Sequence, residues 1–394
     1  MKRQKIKKFP LSKKVMTGLF AGAMALSIWA PASQAATPEK NGYYSIHLAS
    51  NTWKKWDVTR GSLDNEVGIL LYDVSGQIPD NQQFAFFPLD NGKYAIVNKN
   101  SGKPVTIGDW VQPMAMLTGY NHDTLKQSNW TGNANEQWYL RDQGSNNYEI
   151  VNQGNGKVAS YAWTGDLARN YEYVDLDNSN PSDKDRVFTI PAARSTFTLP
   201  TLPATGTRSE APNYTGGIDQ QLPQTSNSVV VGASLIPCIM VKDSQASDYT
   251  KIHNSPYYTL VKEEYWDKTF SKVIQPGLSE SYSYKTGVSS VDQQKMTDTL
   301  SMKFGADFGI KFGDASASLK SEISRTIQTE ISTTNSEATE ETRSYTATGE
   351  PGKATGYTQY QLATKYTLKR ADGSVVSDPW VVKNDKITVT RKTS

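Results

Sequence analysis

The chain has 394 residues and a formal charge of +3, from 42 basic and 39 acidic side chains. Seven of the basic and none of the acidic residues fall within residues 1–35, so the remainder carries −4, which argues against a nucleic-acid footprint. One cysteine, Cys238, excludes an internal disulfide framework, and its apolar neighbours in "SLIPCIMV" predict a buried structural thiol.

In chain order, the first element is a basic run (Lys2, Arg3, Lys5, Lys7, Lys8, Lys13, Lys14), then the apolar stretch Val15 to Ala30 and the small-residue segment "PASQAA". This order predicts a secretory signal peptide over residues 1–35. Its apolar core of about sixteen residues is shorter than the roughly 20 that a spanning helix needs. The remaining chain is rich in Tyr, Trp, Thr, Ser and Asn, with strand-like runs broken by Gly, Asn and Asp, and reads as all-β.

A phrase then repeats three times: "NGYYSI" at 41–46, "NGKYAIVNKNSGKPV" at 91–105 and "NNYEIVNQGNGKVAS" at 146–160. Each copy ends alike, in "NQQFAF", "NEQWYL" and "DRVFTI". Three copies imply threefold pseudo-symmetry around buried anchors Phe84, Trp138 and Phe188. The pattern resembles the ricin-B-type β-trefoil lectin module and assigns residues 36–190 to a carbohydrate-binding head. The resemblance implies one sugar site per lobe, built from an Asp, a stacking aromatic and an amide pair. Lobe one supplies Asp57, Tyr72, Asn81 and Gln82. At the matching places lobe two has Thr106 and Leu117, and lobe three has Ala159, so those lobes are expected to lack the site. Trp53, Trp56, Trp110, Tyr161 and Trp163 read as surplus loop aromatics.

Residues 191–228, dominated by Pro, Thr, Ser and Gly, read as an extended linker. Beyond it, "YTGGID", "LIPCIMVKD" and "SPYYTL" resemble the Bin-type (Tpp) insecticidal toxins, which join a lectin-like head to an aerolysin-type pore-forming domain. The resemblance implies an elongated β-sheet pore-forming domain over residues 229–394, cell-surface glycans as ligands with galactose-type sugars foremost, and a homo-oligomeric pore in the target-cell membrane. Some members need a second toxin component.

Within that domain, residues 300–312 alternate strictly: Leu300, Met302, Phe304, Ala306, Phe308, Ile310 and Phe312 share one face. A two-residue turn at Gly313-Asp314 would lay Leu319 and Ile323 on the same face of a second arm. This predicts a membrane-insertion hairpin over about 300–327, since a spanning strand needs roughly 9 to 11 alternating residues.

No catalytic constellation is legible. His47, His122 and His253 lie far apart, no metal-ligand spacing occurs, and no cofactor or metal is expected. The expected protein is a secreted, non-enzymatic pore-forming insecticidal toxin that acts at the target-cell plasma membrane. A secreted lectin or adhesin without pore activity is the alternative, and a glycoside hydrolase with an appended lectin is the enzyme reading.

Overall fold

The repeated phrase folds three times into the same four-strand unit. The computed structural model describes residues 38–73, 75–89, 92–108, 123–163, 171–300, 302–303, 311–312 and 340–394. Lobe one holds β1 (Gly42–Tyr44), β2 (His47–Leu48), β3 (Lys54–Val58) and β4 (Val67–Asp73). Lobe two holds β5 (Phe84–Pro88), β6 (Tyr94–Asn98), β7 (Val105–Gly108) and β8 (Thr124–Gln127). Lobe three holds β9 (Trp138–Asp142), β10 (Asn147–Asn152), β11 (Val158–Trp163) and β12 (Glu172–Asp177), and β13 (Phe188–Thr189) follows it. Strands β1, β5, β6, β9, β10 and β13 pair in succession, and β13 returns to β2. Because β1 and β2 are consecutive in the chain, this succession runs round into a barrel. Hairpins β3–β4, β7–β8 and β11–β12 cover it, with β4 bridging to both β8 and β12. This is a β-trefoil.

Phe84, Trp138 and Phe188 are fully buried, as the repeat implies. Trp56 is too, which corrects its reading as a loop aromatic. Strand alternation turns it inward, edge to face against Phe84 at 6.0 Å and Phe188 at 5.6 Å. Its flanking Lys55 and Asp57 gave the stretch a loop-like polarity, although they lie on the opposite face of the same strand.

After β14 (Ser195–Thr196), which pairs with β1, the chain runs without regular structure over the second domain. Residues 198–228 are held there as a strap. Trp266 Nε1 donates to Ser209 O (2.9 Å), Tyr360 Oη donates to Pro223 O (2.6 Å), and Arg208 pairs with the fully buried Glu264 (3.1 Å). Ala211 and Leu222 are buried against Trp266, Tyr360 and Leu362. Backbone carbonyls do much of this anchoring, and composition does not reveal them.

The second domain is an antiparallel sheet ordered β15 (Val229–Pro237), β16 (Tyr257–Ile274), β21 (Thr355–Lys369), β22 (Trp380–Thr393). Strand β16 has 18 residues and spans roughly 60 Å at the usual strand rise. A separate two-stranded ribbon pairs β17 (Ser279–Thr286) with β20 (Glu341–Thr348). Among the described residues two α-helices interrupt the β pattern, α1 (Asp248–Asn254) and α2 (Ser290–Thr299). Each begins at a serine, Ser247 or Ser289, whose hydroxyl accepts from a backbone N–H three residues on.

The sequence phrases "LIPCIMVKD" and "SPYY" meet in a clamp. Asp243, with its side chain fully buried, accepts from Arg370 Nε at 2.7 Å and Nη2 at 2.8 Å, and from Tyr258 Oη at 3.0 Å. Burial alone would raise the Asp243 carboxyl, but the Arg370 fork, the Gln245 backbone N–H and the Tyr258 hydroxyl together hold the group below the usual range. Nearby, burial pushes the Cys238 thiol up to about 12.

Head and sheet share one apolar core, in which Tyr43, Phe87 and Val97 pack with Ile236, Ile252 and Tyr257. Tyr43 Oη donates to Ile252 O at 2.7 Å. Asp248 accepts from Lys103 of the head and Lys251 of α1, each at 2.9 Å. At Gly102 the backbone has φ +71°, and a Cβ would lie 2.2 Å from Asp248 O. The glycine of "SGK" is thus required by both conformation and the approach of α1.

Candidate functional site

Two candidate sites follow from the sequence, one on the head and one beyond the ribbon. On the head, β3 and β4 pair so that Asp57 lies opposite Leu70 and Lys55 opposite Tyr72. Asp57 and Tyr72 therefore point to the same outward face, displaced by one diagonal step. Asp57 is 7% exposed and accepts from Gln82 Nε2 at 2.7 Å. Burial raises its carboxyl, while hydrogen bonds from Gln82 and Asn81 oppose the rise. Asn81 Nδ2 also donates to Val58 O at 3.0 Å. Tyr72 is 57% exposed. The structure thus brings Asp57, Asn81 and Gln82 into contact, and sets Tyr72 beside them as an open aromatic face.

The other lobes differ in their chemistry. In lobe two, Thr106 replaces the aspartate, and Glu136 stands where Gln82 does, accepting from the backbone N–H groups of Thr131 (2.9 Å) and Gly132 (2.8 Å). In lobe three, Ala159 is a core residue, so its outward neighbour Ser160 is the counterpart of Asp57, a one-position correction. Neither lobe places a carboxylate at that position. Asn98 and Asn152, which donate at 3.0 Å to Asn81 O and Asn135 O, repeat across lobes as turn supports and not as ligands.

The second site starts from the ribbon. Ser279, Ser281 and Ser283 lie opposite Thr348, Thr346 and Ser344, so one face is almost wholly hydroxyl. The other face carries Tyr282, Tyr284 and Tyr345, stacked upon each other and upon Phe270 (4.2 Å from Tyr282). The chain leaves the ribbon at Thr286 and re-enters it at Glu341, so the alternating segment lies between its two strands. Leu300 is fully buried at the end of α2, in the core shared by head and sheet. Strand β18 (Met302–Lys303) pairs with β19 (Lys311–Phe312), Met302 opposite Phe312. That register differs from the one turning at Gly313-Asp314. An alternation of period two keeps its apolar face about many centres and cannot choose among them. Phe304, Phe308, Ile310, Gly313, Asp314, Leu319 and Ile323 lie outside the described residues, as do the expected signal peptide and Trp110.

Among the described residues no helix is long and apolar enough to cross a membrane, which leaves strand-based crossing untouched. Also among them, no cluster of three His, Cys, Asp or Glu residues could hold a metal ion.

A β-trefoil fused through a strap to a long antiparallel sheet defines a trefoil-headed class of protein. Two family profiles match accordingly: a ricin-type β-trefoil lectin-like domain over residues 80–170, and the insecticidal crystal toxin P42 family over residues 229–393. The binary larvicide subunit BinA of Lysinibacillus sphaericus is 30% identical over 314 residues, covering 78% of this chain and 80% of the relative. The insecticidal crystal protein Cry35Ab1 of Bacillus thuringiensis is 25% identical over 283 residues, covering 69% of this chain and 68% of that one. The crystal structure of Cry35Ab1 superposes with a TM-score of 0.73 over 90% of both chains, at 20% identity, and so shares the fold. The chain belongs to the Bin-type insecticidal toxin family.

Proposed function

We propose that this protein is a secreted insecticidal toxin whose trefoil head binds glycans of the target cell and whose sheet domain oligomerises into a β-barrel pore in the plasma membrane. The observation that carries the pore reading is the ribbon β17–β20. It brackets the alternating segment, and its hydroxyl face is suited to a water-filled barrel stalk. A second toxin component is the partner that BinA's name, a subunit of a binary larvicide, brings to mind for this chain. Dye release from vesicles made of target-gut lipid tests the reading. The toxin is expected to leak dye, whereas binding without leakage would leave only a lectin.

The sugar site on the head has its own test. Replacing Asp57 and Tyr72 together by Ala removes a charge-assisted hydrogen bond and a stacking face. We expect at least about a tenfold loss of retention on a galactose column, with circular dichroism unchanged. Undiminished retention on every sugar column that holds the parent would discard this site.

A further inference from the structure

Beside the Asp57 site, and lined by none of its four residues, lies a cleft of about 700 Å³ between lobe one and the exit of the trefoil. Its walls include His47, Trp53, Lys55, Ile78, Lys99 and Arg194. The charges are unbalanced. Lys99 is matched by Asp80 at 2.8 Å. Lys55, only 5% exposed, donates to Trp53 O at 2.8 Å, and among the described residues no carboxylate pairs with it. Arg194 likewise has no carboxylate partner among them, and its Nε donates to Ser45 Oγ at 3.2 Å. His47 lies opposite Lys55 across the β2–β3 pair, its Nε2 2.7 Å from Ser45 Oγ and its Nδ1 2.7 Å from Thr52 O. Burial, with the charges of Lys55 and Arg194, holds the imidazole below its ordinary range against the opposing hydrogen bond to Thr52 O.

With Lys55 and Arg194 lacking a carboxylate partner among the described residues, the cleft carries a net positive field, and such a field favours an anion. The guanidinium of Arg194 is a fork suited to a carboxylate or sulfate. Trp53, at 68% exposed, offers an indole face at the same cleft, and Ile78 an apolar wall. Stacking on an indole suits the apolar face of a pyranose ring. We propose that this cleft is a second carbohydrate site, selective for a pyranose bearing a carboxylate or a sulfate, with Lys55 and Arg194 on the anion and Trp53 against the ring. It is independent of the Asp57 reading.

The test is retention of the full chain on immobilised chondroitin sulfate, with hyaluronan as the carboxylate-only arm, keratan sulfate as the sulfate-only arm and a neutral galactan as the reference. Salt is held at about 0.15 M, where charges beyond roughly 8 Å are screened. The parent should prefer at least one acidic glycan over the galactan. Arg194→Gln should weaken that retention about tenfold or more, and Trp53→Ala about tenfold, both leaving galactan retention intact. Asp57→Asn should do the reverse, so that failure of either site is told from failure of the other. Trp53→Ala changes an exposed side chain and carries the test alone if Arg194→Gln melts below the parent. No preference for any acidic glycan would overturn the proposal. So would undiminished acidic retention in Trp53→Ala, or equal competition by phosphatidylserine vesicles, either of which marks adsorption by charge alone.

Discussion

Phe308→Asp should leave cell binding intact and abolish dye release, while Gly309→Asp should still leak. In the alternating segment the two positions fall on opposite faces. The even face must meet lipid in a barrel, and the odd face must meet water. A charged side chain on the lipid face near the bilayer midplane costs up to about 2 to 4 kcal/mol per strand, with a carboxylate toward the lower end, and a ring repeats that cost in every subunit. The same charge on the lumen side is solvated and at most alters ion selectivity. The parent's melting temperature and protease resistance must first be matched, because Phe308 could also serve the soluble fold. A well-folded Phe308→Asp that permeabilises vesicles as fast as the parent would remove this segment from the barrel.

That experiment takes the turn at Gly313-Asp314, which sets position 308 about five residues from the tip, and the place of the turn is where sequence reasoning reached its limit. Alternation tells which side chains share a face, and the even residues Met302 and Phe312 do pair. It does not tell where the chain turns, because every centre that preserves the faces satisfies the pattern equally. The trefoil was legible for the opposite reason. Its three copies fix one another, and the anchors Phe84, Trp138 and Phe188 recur at corresponding places. Trp56 recurs nowhere, since Val105 and Ala159 take its inward place in the other lobes, so no repeat flagged it.

Other features escaped because they join residues remote in sequence or rest on the backbone. Lys55 and Arg194 come from opposite ends of the trefoil, and nothing in their neighbours marks them as sharing a cleft. The strap over the sheet is tied through the carbonyls of Ser209 and Pro223, atoms every residue possesses. The helix α2 is short and carries little amphipathic signal, and its clearest mark is the Ser289 cap ahead of Asp292. At the Asp57 site the aspartate and amides were legible only through the resemblance to the lectin module, since no carboxylate stands at that place in the other two lobes. That Gln82 is already committed to Asp57 was not, since this depends on how deeply β3 seats the carboxylate.

The clamp of Asp243, Tyr258 and Arg370 yields the largest expected effect on stability. Arg370→Met removes both donors of the fork and strands a carboxylate whose side chain is fully buried. Breaking a buried pair from one side costs about 3 to 5 kcal/mol, enough to consume much of a domain's stability. Adding Asp243→Asn should recover a large part of the loss, because the amide oxygen still accepts from Tyr258 while the stranded charge is gone. This non-additivity is read as a double-mutant cycle by denaturant unfolding. The pH dependence should also change sign. In the parent the Asp243 pKa is depressed, so its contribution is present above the unfolded value of about 3.9 and is lost as pH falls through the folded one. Without Arg370, burial raises the folded pKa above the unfolded value. The variant should then be most stable in acid and lose stability as pH rises from about 4 through the folded pKa. Matching acid limbs in parent and variant, or a double substitution no more stable than Arg370→Met alone, would mean that Asp243 contributes to the fold by packing and not through its charge.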